Sequence, residues 1–269
     1  MLICILYLAL VRGFNGQPEV MMGESKAMFL GQCLTSNKPA ALDTDGVLNV
    51  AVWNIYKQKR SSWQPQLKQI LDKSELVLLQ EAKLDQSLSD YLKQRRRHMV
   101  MGKGFKLLNT PMGVMNIASA SVLDACAYQT VEPWIRFAKS TLISSYALSS
   151  GQTLLVINLH GINFDWKLDR FNAQWQQIVH KIALHHGPTI VAGDFNTWRP
   201  ARIELVNELT ARLKLKEVKY HRDQRQRVFG YPLDHLYYRG LHLVEAEAFE
   251  TRASDHNPIT ARFTLMPVN

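Results

Sequence analysis

The chain has little cysteine and no long apolar run. Its 269 residues hold three cysteines, Cys4, Cys33 and Cys126. The number is odd, the spacing wide, and no Cys-x-x-Cys occurs, which argues against a disulfide framework or a structural zinc site and fits a reducing, cytoplasmic compartment. No stretch approaches the roughly twenty apolar residues of a membrane span. The first eleven residues are mostly apolar and uncharged, but a basic segment before them and a small-residue cleavage site after them are both missing. A signal-anchor or an exported form stays as the alternative. Repeats, low-complexity tracts and composition shifts that would mark a second folded domain are also lacking, so the chain is expected to act as one catalytic unit and as a monomer.

Acidic residues are outnumbered, 23 against 32 Lys and Arg, giving a formal charge of +9. A basic surface attracts polyanions, so DNA, RNA and anionic membrane are candidate partners. The densest basic run, Lys93 to His98, reads as a solvated helix end.

Residues 1–46 carry no sustained periodicity and are dotted with Gly, Pro, Ser and Asn, which predicts an irregular N-terminal arm. From Val47 to the end, residues 47–269, the pattern is that of a folded domain. Strands are predicted at 47–53, 75–80, 114–122, 140–148, 153–159, 189–192, 233–238, 243–249 and 259–265. Helices are predicted after Ser61 or Ser62, with Pro65 in the first turn, and at 170–186 and 201–213. Several strands are joined by connections too short for a crossover helix, so the sheets are mixed and helices cover their outer faces.

Polar groups recur at the ends of these strands. Asn54 follows the strand ending at Trp53, and Glu81 follows Leu78-Leu79-Gln80. His160 follows Val156 to Leu159, and Asp194 and Asn196 lie in Gly193-Asp194-Phe195-Asn196. Asp234 lies in Leu233-Asp234-His235, and Asp255 and His256 lie in Ser254-Asp255-His256-Asn257-Pro258, just before the last strand. Taken singly, each is an ordinary turn or cap residue. Together they would converge on one sheet rim. Carboxylates and an amide without thiols suit a hard cation, Mg²⁺ or Mn²⁺, with Glu81 the first ligand and Asn54 and Asp255 beside it. The other groups are left for acid–base and charge-stabilising work.

These motifs, in this order, resemble the endonuclease/exonuclease/phosphatase superfamily, and more closely its YafD-like UPF0294 branch. The resemblance covers about residues 47–265. It implies an α/β fold, a four-layer α/β sandwich with two packed mixed β-sheets flanked by helices. It implies Mg²⁺-dependent hydrolysis of a phosphodiester or phosphomonoester by in-line attack of water. Carried over by motif, Glu81 binds the metal with Asn54 and Asp255, and Asp194 orients or deprotonates the water. Asn196 holds that water or the phosphate, and His256 contacts the scissile phosphate as acid or base. Asp234 fixes the His256 tautomer, and His160 stabilises charge on phosphate oxygens.

Two departures stand out. Val131 precedes Glu132-Pro133 where many nucleases of the group carry Arg, with Arg136 or Lys139 as the available substitutes. Thr110 to Val114 lacks the tyrosine of the abasic-site enzymes, which points away from that substrate. A nuclease is the favoured reading, with Arg222, Arg225 and Arg227 as candidate phosphate contacts. The alternatives are a phosphatase or phosphodiesterase of a small metabolite or phospholipid head group, and, in another class, a catalytically inactive phosphate-binding module.

Overall fold

The computed structural model describes residues 15–22, 28–29, 31–37 and 39–267. The apolar start Met1 to Val11, and Cys4 with it, lie outside the described residues. Along the chain run β1 (Val20–Met22), β2 (Met28–Phe29), β3 (Cys33–Thr35), β4 (Val47–Asn54), α1 (Trp63–Leu71), β5 (Leu76–Lys83), α2 (Gln86–Gln94), β6 (His98–Leu107), β7 (Thr110–Ala118), β8 (Asp124–Val131) and β9 (Ala138–Ala147). There follow β10 (Thr153–His160), α3 (Asp169–Ala183), β11 (Thr189–Asp194), α4 (Pro200–Arg212), β12 (Lys216–Glu217), β13 (Arg222–Asp223), β14 (Arg227–Val228), β15 (Tyr231–Pro232), β16 (Asp234–Arg239), β17 (Leu241–Ala248) and β18 (Ile259–Leu265).

Two mixed sheets carry the architecture. One has nine strands in the order β13-β17-β18-β4-β5-β7-β6-β1-β2, and the other has seven in the order β12-β16-β11-β10-β9-β8-β3. The alternation within single strands explains the layering. On β4, Leu48, Val50 and Val52 face the second sheet and meet Leu142, Tyr146, Val156 and Ile190. The intervening Ala51 and Trp53 face outward and pack under α1 and α2 with Leu67, Ile70, Leu88 and Leu92. The second sheet repeats this, with Leu155, Ile157 and Leu159 outward against Phe171, Trp175, Ile178 and Val206 of α3 and α4. A strand apolar on both faces must be covered on both, which yields helix, sheet, sheet and helix in four layers.

The stretch 1–46, expected to be irregular, contributes β1, β2 and β3 to the edges of both sheets. β3 corrects the reading of the cysteines. It pairs antiparallel with β8 in a register that sets Cys33 directly opposite Cys126, and the two form a disulfide with Cα atoms 4.1 Å apart. Linear spacing gave no sign of this, because register and not sequence distance brings the thiols together. The disulfide removes the ground for expecting a reducing compartment. It closes a separation of 93 residues, so reduction is expected to cost about 2–4 kcal/mol of stability. Denaturant titration with and without reductant measures that loss. Alkylation of the unreduced chain should leave Cys33 and Cys126 unmodified.

Among the described residues, no helix is long and apolar enough to cross a membrane.

Candidate active site

Register does most of the assembly. β10 and β11 run parallel with His160 opposite Asp194, and β11 and β16 run antiparallel with Asp194 opposite Asp234. Three adjacent strands of the seven-stranded sheet therefore end on an imidazole and two carboxylates in one row. In the other sheet β4 ends on Asn54, level with Gln80 of β5. The Asn54 side-chain amide donates to Asp194 Oδ2 at 3.0 Å, which joins the two sheets at this rim. The turn before β18 closes over it. Ser254 Oγ donates to the Asn54 carbonyl at 2.6 Å, and Trp53 Nε1 donates to the His256 carbonyl at 3.1 Å.

Gly193 is required by close approach. A Cβ there would lie 1.9 Å from the Leu159 carbonyl oxygen, and its φ is +141°. Only glycine lets β11 come this near β10 and deliver Asp194 beside His160. Asn196 takes φ 53°, its amide nitrogen donates to Asp194 Oδ1 at 3.0 Å, and its side chain donates to the Gly161 carbonyl at 2.9 Å. Its amide group thus ties the loop after β11 to the loop after β10.

Glu81 is aimed by a bulge. The β5–β7 register shifts between Leu79 and Ala82, and Glu81 has φ 53°. The extra residue turns its side chain toward the rim and not into either sheet face. A non-glycine residue held there costs about 1 kcal/mol or more, a feature concentrated at functional positions. Its carboxylate pairs with Lys57. Its other oxygen is 3.9 Å from Lys139 Nζ and 3.9 Å from His160 Nε2. Lys139 Nζ in turn meets His160 Nε2 at 2.7 Å.

His256 and Asp234 form the tightest pair, Nδ1 to Oδ2 at 2.8 Å. His256 Nε2 faces Asp194 Oδ2 at 3.9 Å. Burial works against a charged His256, but the Asp234 and Asp194 carboxylates outweigh it and push its pKa up to about 10. Burial pushes Asp194 up to about 6, with His256 opposing and Asp234 adding to the rise. Burial, reinforced by Lys139, holds His160 well below the usual histidine range, so its imidazole is neutral. Burial would raise Glu81, but Lys139 and Lys57 hold it below the usual carboxylate range. The rim at neutral pH therefore combines a charged His256, a neutral His160, an ionised Glu81 and a carboxyl poised to take up a proton.

Replacing Asp234 by Asn is expected to drop the His256 pKa sharply, followed by imidazole NMR. The folded His256 pKa of about 10 exceeds the ordinary 6.5, so its stabilisation is full below pH 6.5 and lost as pH rises through about 10. The stability gap between wild type and variant should accordingly close over that range.

The structure brings Asn54, Glu81, His160, Asp194, Asn196, Asp234 and His256 together. Asp255 is exposed on the adjoining turn, with its carboxylate 3.2 Å from Ser254 Oγ. Among the described residues, the acidic and histidine ligand atoms close enough to share an ion are those of Asp194, Asp234 and His256, all within 4.8 Å of one another.

Arg225 and Arg227, expected as phosphate contacts, are placed in ion pairs. Arg225 is bound to Asp223 at 2.9 Å, to Glu217 at 3.0 Å and to the Asp234 carbonyl at 3.1 Å. Arg227 pairs with Asp223 at 2.8 Å. The Arg225 donors are already used, and it braces the start of β16, while Arg227 is half exposed and also donates to the Gly230 carbonyl at 3.0 Å. Arg222 lies on the exposed strand β13, paired with Glu247 of β17. The cations at the rim are instead Lys57 and Lys139. Lys139 is one of the two substitutes named for the missing arginine, and Lys57 lies three residues beyond Asn54. Neither carried a signal that it would meet Glu81.

Fold and rim together define a class. Residues 51–256 match the Endonuclease/Exonuclease/phosphatase family, and the chain belongs to that family of phosphoester-cleaving proteins. Within it the chain is similar to a UPF0294 protein of Vibrio vulnificus, 43% identical over 234 residues, 87% of this chain and 82% of that one. Among solved structures it is similar to a family protein from Leptotrichia buccalis. That match has a TM-score of 0.65 and 13% identity, covering 81% of this chain and 100% of the other. The D. rerio TDP2 structure complexed with a single-strand DNA product matches with a TM-score of 0.61 at 18% identity, over 82% and 100% of the two chains. Likeness at this level of identity concerns the fold.

Proposed function

We propose that the chain is a Mg²⁺- or Mn²⁺-dependent phosphoesterase that hydrolyses its substrate by in-line attack of water. The observation that carries the reading is the row His160, Asp194 and Asp234, in register on three strands, with His256 bound to Asp234 and Glu81 on the same rim. Asp194 accepts the proton of the attacking water as its oxygen bonds to phosphorus. A carboxyl with a pKa of about 6 is ionised at neutral pH yet basic enough for this. His256, held protonated by Asp234, contacts the phosphate and gives its proton to the leaving oxygen as the phosphorus–oxygen bond breaks. Asn54 and Asn196 hold Asp194 in place. Lys139 and the neutral His160 face the phosphate oxygens, where charge accumulates.

The donor set fits a hard cation. It is carboxylate and amide oxygen with no thiol. Glu81, Asn54 and Asp255 would hold the ion, and Lys57 would give up its place on Glu81. The ion, when bound, supplies Lewis-acid polarisation of the phosphoryl oxygen. The presence of every group the reaction needs favours turnover over an inactive phosphate-binding module.

The test is phosphate or alcohol release from a panel of nucleic acids, phosphoinositides, small phosphomonoesters and phospholipids. Activity is expected with Mg²⁺ or Mn²⁺ and none in EDTA. Undiminished turnover after metal stripping would remove the metal from the account, and inertness toward the whole panel would remove the hydrolase.

A further inference from the structure

Beside the catalytic rim lies a cavity of about 320 Å³ that the reaction as described leaves unused. One end is formed by Lys57, Glu81, Lys139 and His160, of which Lys139 and His160 face the phosphate in the proposed reaction. The remaining walls are apolar, with Phe105, Leu107 and Met112 from the β6–β7 hairpin and Ile135 and Phe137 from the segment between β8 and β9. Two sheets therefore each lend one hairpin to the slot. Its polar wall beyond the catalytic groups is Ser140, whose hydroxyl already accepts the Val114 amide at 3.0 Å. The Phe105 and Phe137 rings pack on each other with centroids 4.8 Å apart and planes tilted by 34°, so they leave no gap for a flat ring between them.

The two hairpin tips extend the apolar surface outward. Leu108, next to Leu107, is 88% exposed, and Trp134, next to Ile135, is 70% exposed. Each tip also carries a basic residue, in Lys106-Leu107-Leu108 and in Trp134-Ile135-Arg136. Phe164 is a further exposed apolar side chain. Its backbone amide donates to Glu132, two residues before Trp134, at 3.1 Å. Large apolar side chains at separate loop tips, flanked by cations on a chain of net charge +9, make a surface that is costly in water and complementary to an anionic bilayer.

We propose that the slot takes the apolar tail of a lipid phosphoester, with the tips at Leu108 and Trp134 inserted at the membrane surface and the phosphate presented to Lys139 and His160. The assignment rests on the phosphoesterase reading and names its substrate class. A nucleobase fits the slot less well. Its edges need several hydrogen-bond partners, and beyond the catalytic groups the walls offer a single hydroxyl, Ser140, which already accepts one bond.

Two measurements on the 269-residue chain test the proposal separately from the phosphoesterase reading. The first is co-sedimentation, in EDTA, with vesicles of phosphatidylglycerol or of phosphatidylcholine. Binding to the phosphatidylglycerol vesicles is expected and should weaken with salt. Leu108→Ser and Trp134→Ser should each lower partition by about tenfold; both side chains are exposed, so circular dichroism should show the fold retained. The second compares hydrolysis of dihexanoylphosphatidylglycerol, below its micellar concentration, with that of glycerophosphoglycerol, the same diester without tails. A kcat/KM preference of at least about tenfold for the tailed ester is expected.

Equal kcat/KM on the two esters, absence of vesicle binding, or faster cleavage of a single-stranded oligonucleotide that also displaces the vesicles would overturn the lipid assignment. If no ester is cleaved, bis(p-nitrophenyl) phosphate included, the phosphoesterase reading fails. Vesicle binding then decides the tips alone, with loss in the serine variants supporting them and binding unchanged by the substitutions overturning them.

Discussion

Asp194→Asn is expected to lower turnover by about a thousandfold, the scale on which a positioned general base acts, while the fold persists. The substitution keeps the shape and leaves Oδ1 to accept the Asn196 amide, a bond of 3.0 Å in the wild type. It removes the proton acceptor. The stability expectation follows from the same environment. The folded pKa of about 6 lies above the ordinary 3.8 because of burial and the neighbouring Asp234, so above pH 6 the ionised carboxylate is a cost to the fold, relieved as pH falls toward 3.8. A neutral amide removes that cost and loses the bond from Asn54. The net change at pH 8 is expected to be within about 1 kcal/mol. Steady-state kinetics and urea titration check both halves. Wild-type turnover would show that Asp194 is not the base, and an unfolded variant would show that its charge is structural.

Glu81→Ala is expected to be the other severe change. It removes the carboxylate that the bulge aims at the rim and so most of the metal affinity and nearly all turnover. It also leaves two lysines without their partner. Lys57 is partly exposed and can turn to water, but Lys139 is largely buried beside His160. Burial already lowers the Lys139 pKa against the pull of Glu81, so without Glu81 it should lose its proton more readily. A stability loss of about 1–3 kcal/mol is expected, with Glu81→Gln losing less stability and as much metal affinity. Isothermal titration with Mn²⁺ and chemical denaturation separate the two effects. Unchanged Mn²⁺ affinity would reduce Glu81 to a partner for the lysines.

Much of this site was legible because strand ends are legible. Leu155 to Leu159 and Ile190 to Ala192 read as buried strands from composition alone, and the first polar residue beyond each is the one the register aligns. Gly193 stands inside Gly193-Asp194-Phe195-Asn196, and only the structure shows why, since the approach to Leu159 admits nothing larger. Helices α3 and α4 fell close to their predicted spans for the same kind of reason, an apolar stripe of Phe171, Trp175, Ile178 and Ile182 in the first case.

What stayed hidden depends on pairing. The apolar pattern of β6 is interrupted by Gly102, Lys103 and Gly104, and its buried Lys103 is intelligible only with Glu19 at 2.9 Å. α2 buries just Leu88 and Leu92, too thin a stripe to read, although Asp85 caps it by accepting the Leu88 amide at 3.0 Å. The disulfide follows from the β3–β8 register. The bulge at Glu81 follows from β5 meeting β7. Arg225 illustrates the converse error: charge suggested a ligand for phosphate, while Asp223 and Glu217, close in sequence, had already claimed its donors.

Turnover at this rim requires water to attack phosphorus. Turnover of a phosphoester by the wild-type chain with Mn²⁺ in heavy-oxygen water, followed by mass spectrometry of both products, tests that most directly. The predicted result is one labelled oxygen on the phosphoryl product and none on the alcohol. Label on the alcohol, or no turnover under conditions where the chain is folded and metal-loaded, would contradict it.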